Sequence, residues 1–450
     1  MVLAIRILLI NPPFYRLMNS HFNGLSLGLC YIASILSKHG YDVTIFNGDF
    51  KKSQKYSTQK EIFDNYPQYN KILTDPGHEL WQEIKNVIRD VNPSVIGISM
   101  LTGTYKSAQN IAVIAKQINP AINIIAGGTH PSICAQEVLA SGLFDFVIRG
   151  EGEYTFLEIL QGIPPGKISG LSYKKSDGRI IHNKDRNFIE DLDTLPFPAR
   201  HLYVHEQNSM DFGYILTGRG CPFECTFCAS KKIWKNHVRY RSPENVVDEI
   251  NYVYHTFGTR FFYFIDDTFT LDKRRTEKIL NLLSNLHLPI QWICDTRVNV
   301  LDENLLLLMK SAGCVRVKIG VESGSDRILQ LIKKNITVNQ IRTTVDLIKK
   351  TGLDVTIYLM AGFPSETKED MLQTLAFAQE LDPTYYSISI VTPYPGTEIY
   401  DEMLQSGKMP LKKWEFFYHQ SRDMMILNNI DQDILNELLA LNDRNGKVRL

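Results

Sequence analysis

The stretch CPFECTFC, residues 221–228, places Cys221, Cys225 and Cys228 on one short loop. Thiolates bind iron well, and three of them can hold three irons of a [4Fe–4S] cube. The fourth iron then keeps an open coordination position for a small molecule. Zinc fingers more often combine paired CxxC units with four protein ligands, and no second pair follows at zinc-finger distance. The spacing therefore favours a cluster with one open iron, and a zinc knuckle or three buried thiols is the alternative.

Composition limits the function classes. Lys plus Arg and Asp plus Glu are equal at 49 each, so no global charge favours nucleic acid or acidic membranes as partners. No apolar run reaches the length of a membrane span. The start MVLAIRILLINPP is interrupted by Arg6 and lacks a small-residue cleavage site, so it favours a buried strand over a signal peptide. Seven cysteines without a framework spacing indicate a reducing compartment, and we expect the cytoplasm.

Short β-branched runs alternate with helical patterns over the first 160 residues. The strand candidates are Ile5–Ile10, Asp42–Phe46, Ser94–Ser99, Asn123–Ala126 and Phe144–Arg149. The helix candidates are Leu27–Lys38, Ala108–Gln117 and Pro131–Ala140. This α/β alternation predicts a doubly wound, Rossmann-like parallel sheet over residues 1–165. The polar stretch Lys51–Gly77 is weakly periodic and is interpreted as an excursion over the surface.

A hairpin and a linker follow over residues 166–209. Asp177-Gly178 between two alternating runs predicts the hairpin, and two prolines in LDTLPFPAR (192–200) predict the linker. A second βα series then begins. Its strand candidates are Tyr214–Thr217, Phe261–Ile265, Gln291–Cys294, Arg316–Ile319, Asp354–Leu359 and Tyr386–Ile390. Six such units predict a partial TIM-type (β/α)6 barrel over residues 210–400, followed by a short extension over 401–450.

The cysteine motif resembles the signature of the radical S-adenosylmethionine (SAM) superfamily, CxxxCxφC with an aromatic residue at φ, here Phe227. The resemblance covers about residues 210–400. It implies that the open iron chelates SAM, and that an electron from the cluster cleaves SAM to a 5′-deoxyadenosyl radical. It also implies an electron donor such as flavodoxin or ferredoxin. The radical chemistry belongs to the cofactor, and the protein positions and shields it.

Further residues at the strand ends resemble the SAM-contacting segments of this superfamily. Asp266 and Asp267 follow the second strand, and a hydrolase acid pair, a metal site or a helix N-cap is the alternative. Arg297 follows the third strand, where it could grip a carboxylate by two hydrogen bonds or lie solvated. The run Gly320-Val321-Glu322-Ser323 follows the fourth. The resemblance implies SAM contacts for Asp266, Asp267, Arg297, Gly320, Glu322 and Ser323.

Three runs in the first domain resemble the cobalamin-binding domain of B12-dependent radical SAM enzymes. They begin at Ser99, Gly127 and Arg149, and the resemblance covers about residues 4–160. It implies cobalamin contacts for Ser99, Leu101, Gly127, Gly128 and Thr129. The DxHxxG run that ligates cobalt in many B12 proteins is absent, although His21 lies nearby. His130 is expected to be a solvated loop histidine and not a cobalt ligand.

The two resemblances together identify the chain as a cobalamin-dependent radical SAM enzyme. The implied reaction is methylation of an unactivated carbon of a small-molecule, lipid or peptide substrate. The alternative is cyclisation or oxidative rearrangement with the same cofactors, and an alternative of another class is a non-catalytic cobalamin-binding sensor. A tRNA methylthiotransferase would carry three more cluster cysteines in its first domain, where this chain has only Cys30 and Cys134. No nucleic-acid partner and no membrane span are expected.

Overall fold

A computed structural model of the protein describes residues 5–52, 57–409, 413–419, 421, 424 and 430–443. Its two main sheets are both built from parallel strands that alternate with helices, and this α/β class is the predicted one. Within the described ranges, no helix combines the length and the hydropathy needed to cross a membrane.

The first sheet has seven strands in the order β2-β1-β3-β4-β5-β6-β7. They are β1 (Arg6–Asn11), β2 (Asp42–Asn47), β3 (Val95–Ser99), β4 (Asn123–Gly127), β5 (Phe146–Ile148), β6 (Leu171–Lys174) and β7 (Ile180–His182). Strands β1 to β5 run parallel in a doubly wound order, and such sheets bind ligands outside the carboxyl ends of their strands. The predicted hairpin forms β6 and β7, which extend this sheet in antiparallel pairing.

Seven helices accompany this sheet. They are α1 (Leu27–Lys38), α2 (Gln59–Asp64), α3 (Tyr66–Thr74), α4 (Glu79–Val91), α5 (Tyr105–Ile118), α6 (Thr129–Ala140) and α7 (Glu153–Leu160). Helix α1 packs against α7, and α4 packs against α5. Every sequence-based strand and helix in this half is present, with ends shifted by a few residues at most.

The prediction that Lys51–Gly77 is an excursion over the surface is wrong for the residues of this stretch that the structure describes. Helices α2 and α3 occupy it, and residues 53–56 lie outside the described residues. Tyr66, Tyr69 and Ile72 are buried at a spacing of three residues, so α3 presents one apolar face to the domain. The many polar residues between them concealed that period in the sequence.

The second main sheet has six parallel strands in the order β15-β14-β13-β12-β11-β8. They are β8 (Tyr214–Ile215), β11 (Phe261–Phe264), β12 (Gln291–Thr296), β13 (Cys314–Glu322), β14 (Asp354–Ala361) and β15 (Tyr385–Ile390). Two short strands, β9 (Gly218–Arg219) and β10 (Arg239–Tyr240), form a separate antiparallel pair beside it. Six parallel strands in sequence order give the partial barrel that the sequence predicts, and this fold class is confirmed.

Among the described residues, nine helices belong to this half and to the extension. They are α8 (Ser230–Trp234), α9 (Pro243–Phe257), α10 (Lys273–Asn285), α11 (Glu303–Ser311), α12 (Asp326–Leu331), α13 (Val338–Lys350), α14 (Lys368–Leu381), α15 (Glu398–Gln405) and α16 (Gln432–Asp443). Several start at a side-chain cap: the hydroxyl of Ser242 accepts from the backbone N–H of Asn245 at the start of α9, with Pro243 in the first helical position.

The carboxy-terminal extension folds back over both halves. Helix α16 packs against α14 and β15, while the turn Trp414–Phe416 packs against α5. The ring of Tyr418 contacts that of Phe14 at a centroid distance of 4.3 Å. The extension therefore joins the end of the second sheet to the first domain.

Arg200, at the end of the predicted linker, is fully buried and joins the linker to the second half. Its guanidinium lies 2.5 Å from the carboxylate of Glu249 on α9, which also pairs with Arg241. It donates to the backbone oxygens of Phe212 and Tyr214 at 3.1 and 2.7 Å. Two positive charges around one buried carboxylate keep the pKa of Glu249 low, although burial alone would raise it.

We expect the substitution R200M to destabilise the protein by about 3–5 kcal/mol, because it removes one partner from a buried ion pair and leaves backbone oxygens unsatisfied. Urea denaturation followed by circular dichroism measures the effect as a lower midpoint. The matched control is R179M, which breaks an exposed pair with Asp177 and should leave the midpoint unchanged. Equal midpoints for both variants would contradict the prediction.

Candidate functional site

The three motif cysteines line one cavity at the carboxyl ends of the second sheet. This thiol cavity has a volume of about 360 Å³. Besides the cysteines, its lining includes Phe227, Ser230, Asp266, Asp267, Asp295, Arg297, Gly320, Glu322, Lys334 and Tyr358. Parallel strands bring their carboxyl ends to the same edge, so residues far apart in the sequence meet there.

The donors around the thiols suit a cluster. The backbone N–H of Ser230 donates to Sγ of Cys228 at 3.4 Å, and the guanidinium of Arg297 donates to Sγ of Cys225 at 3.4 Å. Hydrogen bonds and positive charge of this kind stabilise thiolates and tune iron–sulfur clusters. Without the metal, burial raises the pKa of Cys221.

The thiol cavity offers three cysteine ligands, as many as leave one iron of a cube open, whereas a structural zinc site usually takes four protein ligands. In the described ranges, no group of three or more His, Cys, Asp or Glu side chains that could hold a single metal ion is found. The number of thiols therefore favours the cluster over the zinc alternative.

The two adjacent carboxylates of the predicted site differ in their surroundings. Asp266 accepts from the backbone N–H of Thr217 at 3.1 Å and from its hydroxyl at 2.8 Å, which ties the end of β11 to that of β8. Asp267 accepts from the hydroxyl of Ser230 at 2.9 Å. Burial raises the pKa of Asp266 to about 6 and also raises that of Asp267. Asp266 is thus engaged in structure, and Asp267 is the better placed of the two for a ligand.

Arg297 is buried, which is contrary to the solvated alternative. Its guanidinium lies 3.8 Å from the ring centre of Phe223 and also donates to the backbone oxygen of Lys334. Its Nε is buried and has no hydrogen-bond partner among the described residues. The side chain therefore faces the cysteine loop with one donor left for a ligand.

Glu322 sits on a β-bulge where the pairing of β13 with β14 shifts between Gly320 and Glu322. Its φ of 66° is in the left-handed region, where non-glycine residues are uncommon. A bulge turns a side chain away from the regular alternation of a strand. The carboxylate of Glu322 pairs with the buried amine of Lys334 at 2.6 Å in the cavity wall.

Gly320 lies beside this pair, and a Cβ there would lie 2.3 Å from Oε1 of Glu322, so a larger residue would displace the Glu322–Lys334 pair. Ser323 does not line the cavity. It is fully buried, its hydroxyl lies 3.1 Å from that of Thr374, and it accepts from the backbone N–H of Ser325. Five of the six predicted SAM residues therefore meet in the thiol cavity, and Ser323 does not join them.

Sequence reasoning missed a polar group at the floor of the thiol cavity. The carboxylate of Asp295 accepts from the phenols of Tyr263 and Tyr358, the latter at 2.7 Å, and Lys318 donates to Tyr263 at 2.8 Å. Burial raises the pKa of Tyr263 well above its ordinary value. These residues lie on four neighbouring strands, and Asp295 is paired in register with Lys318, so strand pairing brings together side chains that are far apart in the sequence.

A second cavity, of about 230 Å³, lies at the carboxyl ends of the first sheet. This glycine cavity is lined by Gly28, Gly97, Gly127, Gly128, Gly150 and Gly152 together with apolar side chains such as Ile98, Ile125 and Phe156. Its outer wall contains Leu216, Arg219 and Trp234 from the second half. The cavity is therefore closed by the contact of the two halves.

The glycines leave space that side chains would fill. A Cβ built on Gly28, Gly127 or Gly150 would meet no atom within 4 Å. Gly128 has a φ of +100°, and a Cβ there would lie 2.6 Å from the backbone oxygen of Met100, so it permits the tight turn into α6. An apolar cradle of this volume suits the planar base at the tail of cobalamin and not the whole cofactor.

Three of the five predicted cobalamin residues, Ser99, Gly127 and Gly128, line the glycine cavity, and two do not. Leu101 is 62% exposed at the sheet edge, and Thr129 is the first residue of α6. His130 is buried and not solvated, so that expectation was wrong. Its Nδ1 lies 3.2 Å from the hydroxyl of Thr102, and burial lowers its pKa to about 4.

The outer wall of the glycine cavity carries buried charges that sequence reasoning did not assign. Arg219 pairs with Glu151 at 2.5 Å and with Glu153 at 2.7 Å. Both carboxylates belong to the run after β5 that was noted only for its resemblance. Arg219 lies more than sixty residues from both carboxylates in the sequence, and no local sequence pattern indicates a pairing over that separation.

Two family models match the chain in the order of its two halves. A B12 binding domain model matches residues 17–160, and a radical SAM superfamily model matches residues 215–378. An uncharacterized methyltransferase of Pyrococcus horikoshii is 32% identical over 97% of this chain and 91% of its own length. The chain belongs to the cobalamin-dependent radical SAM methyltransferase family.

Other similar proteins include a cyclase and a methyltransferase of known structure. The anaerobic magnesium-protoporphyrin IX monomethyl ester cyclase of Rubrivivax gelatinosus is 27% identical over 71% of this chain and 60% of its own length. Among solved structures, the radical SAM methyltransferase TsrM of Kitasatospora setae, with cobalamin and a [4Fe–4S] cluster bound, has a TM-score of 0.70 and 15% identity. That match covers 98% of this chain and 91% of the other, and at this identity it supports the fold alone.

These matches confirm the predicted family, the predicted enzyme class and the predicted set of three cofactors. A cluster and SAM belong to the radical SAM domain, and cobalamin belongs to the B12 binding domain. A radical SAM enzyme needs a reductant and a substrate. The roles of the individual residues in the two cavities remain predictions.

We expect G127L to weaken the binding of hydroxocobalamin by about 100-fold, because the added side chain fills the glycine cavity. Equilibrium dialysis measures the affinity, and the optical spectrum shows whether the cluster is retained. The control is A121L, which adds the same side chain at an exposed position just before β4. Unchanged affinity in G127L would place the tail of the cofactor elsewhere.

We expect D267N to weaken SAM binding by about 10- to 100-fold, since it removes a charge-assisted hydrogen bond to the SAM ammonium. The dissociation constant of SAM is measured on the reconstituted cluster protein, and electron paramagnetic resonance checks that the cluster is intact. D177N on the exposed hairpin is the control. A loss of cluster together with SAM binding would instead assign Asp267 to the folding of the cysteine loop.

Proposed function

We propose that the protein transfers a methyl group to an unactivated carbon of its substrate. The observation that supports this most is the presence in one chain of a three-thiol cavity and a glycine cavity, each at the carboxyl edge of a parallel sheet. The cluster, SAM and cobalamin supply, when bound, a carbon-centred radical and a transferable methyl group.

The chain's own residues hold and orient these groups. Cys221, Cys225 and Cys228 would bind three irons, and the donors from Arg297 and Ser230 would hold two of the thiolates in place. The carboxylate of Asp267 would accept hydrogen bonds from the ammonium of SAM. The Glu322–Lys334 pair closes the opposite wall as a neutral unit, so it adds no net charge to the cavity.

The glycine cavity would take the tail of cobalamin between β3, β4 and α1. Ser99, which ends β3, would donate or accept one hydrogen bond there, and Gly127 and Gly128 would allow close approach of the ligand to the backbone. Leu101, exposed at the sheet edge, would be covered by the corrin ring. Burial and shape, and not charge, would then supply most of the affinity.

Ring closure without methyl transfer is the second candidate, and the cyclase of Rubrivivax gelatinosus supports it. The relative named as a methyltransferase is more similar and matches nearly its whole length, which favours methyl transfer. A non-catalytic cobalamin sensor would need no thiol cavity with carboxylates aimed into it. We therefore keep methyl transfer as the proposal and cyclisation as the alternative.

The partners and the compartment follow from the same reasoning. A low-potential carrier such as flavodoxin or ferredoxin would supply the electron. All seven cysteines lie in the described part of the chain and none forms a disulfide, which suits the reducing cytoplasm. The substrate would be a small molecule, a lipid or a peptide. We also propose domain limits of 1–165 and 210–400, with the hairpin at 166–209 attached to the first domain and the extension at 401–450.

We expect the anaerobically reconstituted protein, given cobalamin, SAM and a reductant, to add one methylene unit to the mass of its substrate. The accumulated precursor from cells lacking the gene is the substrate source, and mass spectrometry reads the product. C225A is the control, because it should lose SAM cleavage while it retains cobalamin. A product without this gain would favour cyclisation, and no 5′-deoxyadenosine from the intact protein would contradict radical chemistry.

A further inference from the structure

Four buried charges form a cluster beside the glycine cavity, at the contact of the two halves. Arg219 forks between Glu151 and Glu153, and Arg239 lies 2.9 Å from the second oxygen of Glu151. None of the four side chains is more than 7% exposed. The charges sum to zero, and the backbone N–H of Ile189 also donates to Glu151 at 2.8 Å. The cluster is a neutral unit inside the contact of the two halves, and Nε and one Nη of Arg239 have no hydrogen-bond partner among the described residues.

Three members of this cluster, Arg219, Glu151 and Glu153, line the glycine cavity directly. Without Arg219, the carboxylate of Glu153 would face the apolar cradle as an unpaired charge, which is costly in a buried site. The fork of Arg219 therefore keeps the wall neutral, and the guanidinium lies 5.1 Å from the ring centre of Tyr31 on α1. The state of Arg219 decides whether this wall accepts an apolar ligand.

Arg219 is also part of the approach to the cysteine loop, since Cys221 follows two residues later. Arg219 pairs with Arg239 in the β9–β10 ladder, so its backbone is fixed on one side. Gly220 has a φ of +101°, and a Cβ there would lie 2.1 Å from the backbone oxygen of His237. The segment is thus packed tightly enough that a shift of the cysteine loop moves Arg219.

We propose that Arg219 is a positioning residue that couples the two cofactor sites. This inference rests on the proposed cluster and cobalamin sites. With the cluster in place, the cysteine loop is fixed and the fork of Arg219 stays on both carboxylates. Without the cluster, the loop is less constrained, the fork loosens, and Glu153 faces the glycine cavity without its partner, while Glu151 keeps Arg239.

The consequence is a thermodynamic coupling with a defined sign. Cluster loading raises the affinity for cobalamin, and cobalamin raises the stability of the cluster by the same factor. The buried ion-pair group of Arg200, Glu249 and Arg241 lines neither cavity. We therefore assign it a role in stability alone. A coupling through Arg219 differs from such a role, because it changes the ratio of the cobalamin affinities measured with and without the cluster. A role in stability changes only the folding midpoint.

The test measures the dissociation constant of hydroxocobalamin for the full chain with and without reconstituted cluster. Equilibrium dialysis with cobalt counted by mass spectrometry avoids the overlapping colour of the cluster. We expect the cluster-loaded wild type to bind at least about 5-fold more tightly, within the usual range of coupling between sites. The double variant R219M/E153Q removes one charge of each sign and leaves Arg239 paired with Glu151, and its ratio should fall to about one.

Two further variants keep the result interpretable. R219K retains the charge but cannot form the two-pronged contact, so its ratio should lie between those of the wild type and the double variant. K235M removes an exposed pair with Asp185 close to the same loop and should keep the wild-type ratio. A wild-type ratio near one, or an unchanged ratio in both Arg219 variants, would overturn the inference. A wild type that binds no cobalamin in either state would overturn the proposed function along with it.

Discussion

Buried arginine–glutamate pairs hold the two halves of the protein against each other, and the glycine cavity depends on that contact. Arg200 with Glu249 fixes the linker to the second half, and Arg219 with Glu151 and Glu153 fixes the cysteine loop to the first. Buried ion pairs of this kind contribute little net stability relative to apolar packing, because both charges lose their hydration. These pairs instead fix orientation, since a guanidinium donates two hydrogen bonds to carboxylates in only a few geometries.

The contact between the two halves explains why the chain uses two parallel sheets, one after the other. Each parallel sheet collects its loops at the carboxyl edge, so a ligand site forms there without any contribution from a bulky insertion. The first sheet offers glycine turns and an apolar cradle, and the second offers thiols and carboxylates. Radical chemistry requires that the reacting groups be held close and oriented, and sites carried by strands are more precise than sites carried by long loops.

The sequence was informative where local chemistry decides the outcome. Apolar runs revealed the strands, the motif cysteines were predicted from their spacing, and Asp267 and Arg297 were predicted from the resemblance of their strand ends to SAM-contacting segments. The glycines at 127 and 128, which were predicted by resemblance, line the glycine cavity, whereas Leu101 and Thr129 lie outside its lining. Ser323 lies outside the thiol cavity, because its hydroxyl turns to Thr374 after the bulge at Glu322.

The missed residues share a different cause. Lys334 lies in a loop after α12 that has no pattern, and Asp295 with Tyr358 depends on the pairing of neighbouring strands. The α3 helix was missed because its apolar face is only three or four side chains wide. Pairings such as Arg219 with Glu151 join positions 68 residues apart and follow from tertiary packing alone. The local periodicity of the sequence cannot indicate pairings between residues so far apart in the chain.

The precision of the cysteine loop comes from backbone contacts more than from its side chains. Gly218 packs against the ring of Tyr240 and the backbone oxygen of Arg239, while Gly220 packs against His237, so both sides of Arg219 are closed to any larger residue. These contacts restrict the backbone up to Gly220, so the part of the loop that a bound cluster would still order begins at Cys221. The same tight packing transmits the position of the thiols to Arg219. Rigid backbone and a forked side chain together therefore give one chain a fixed relation between two cofactor sites, which neither sheet could define alone.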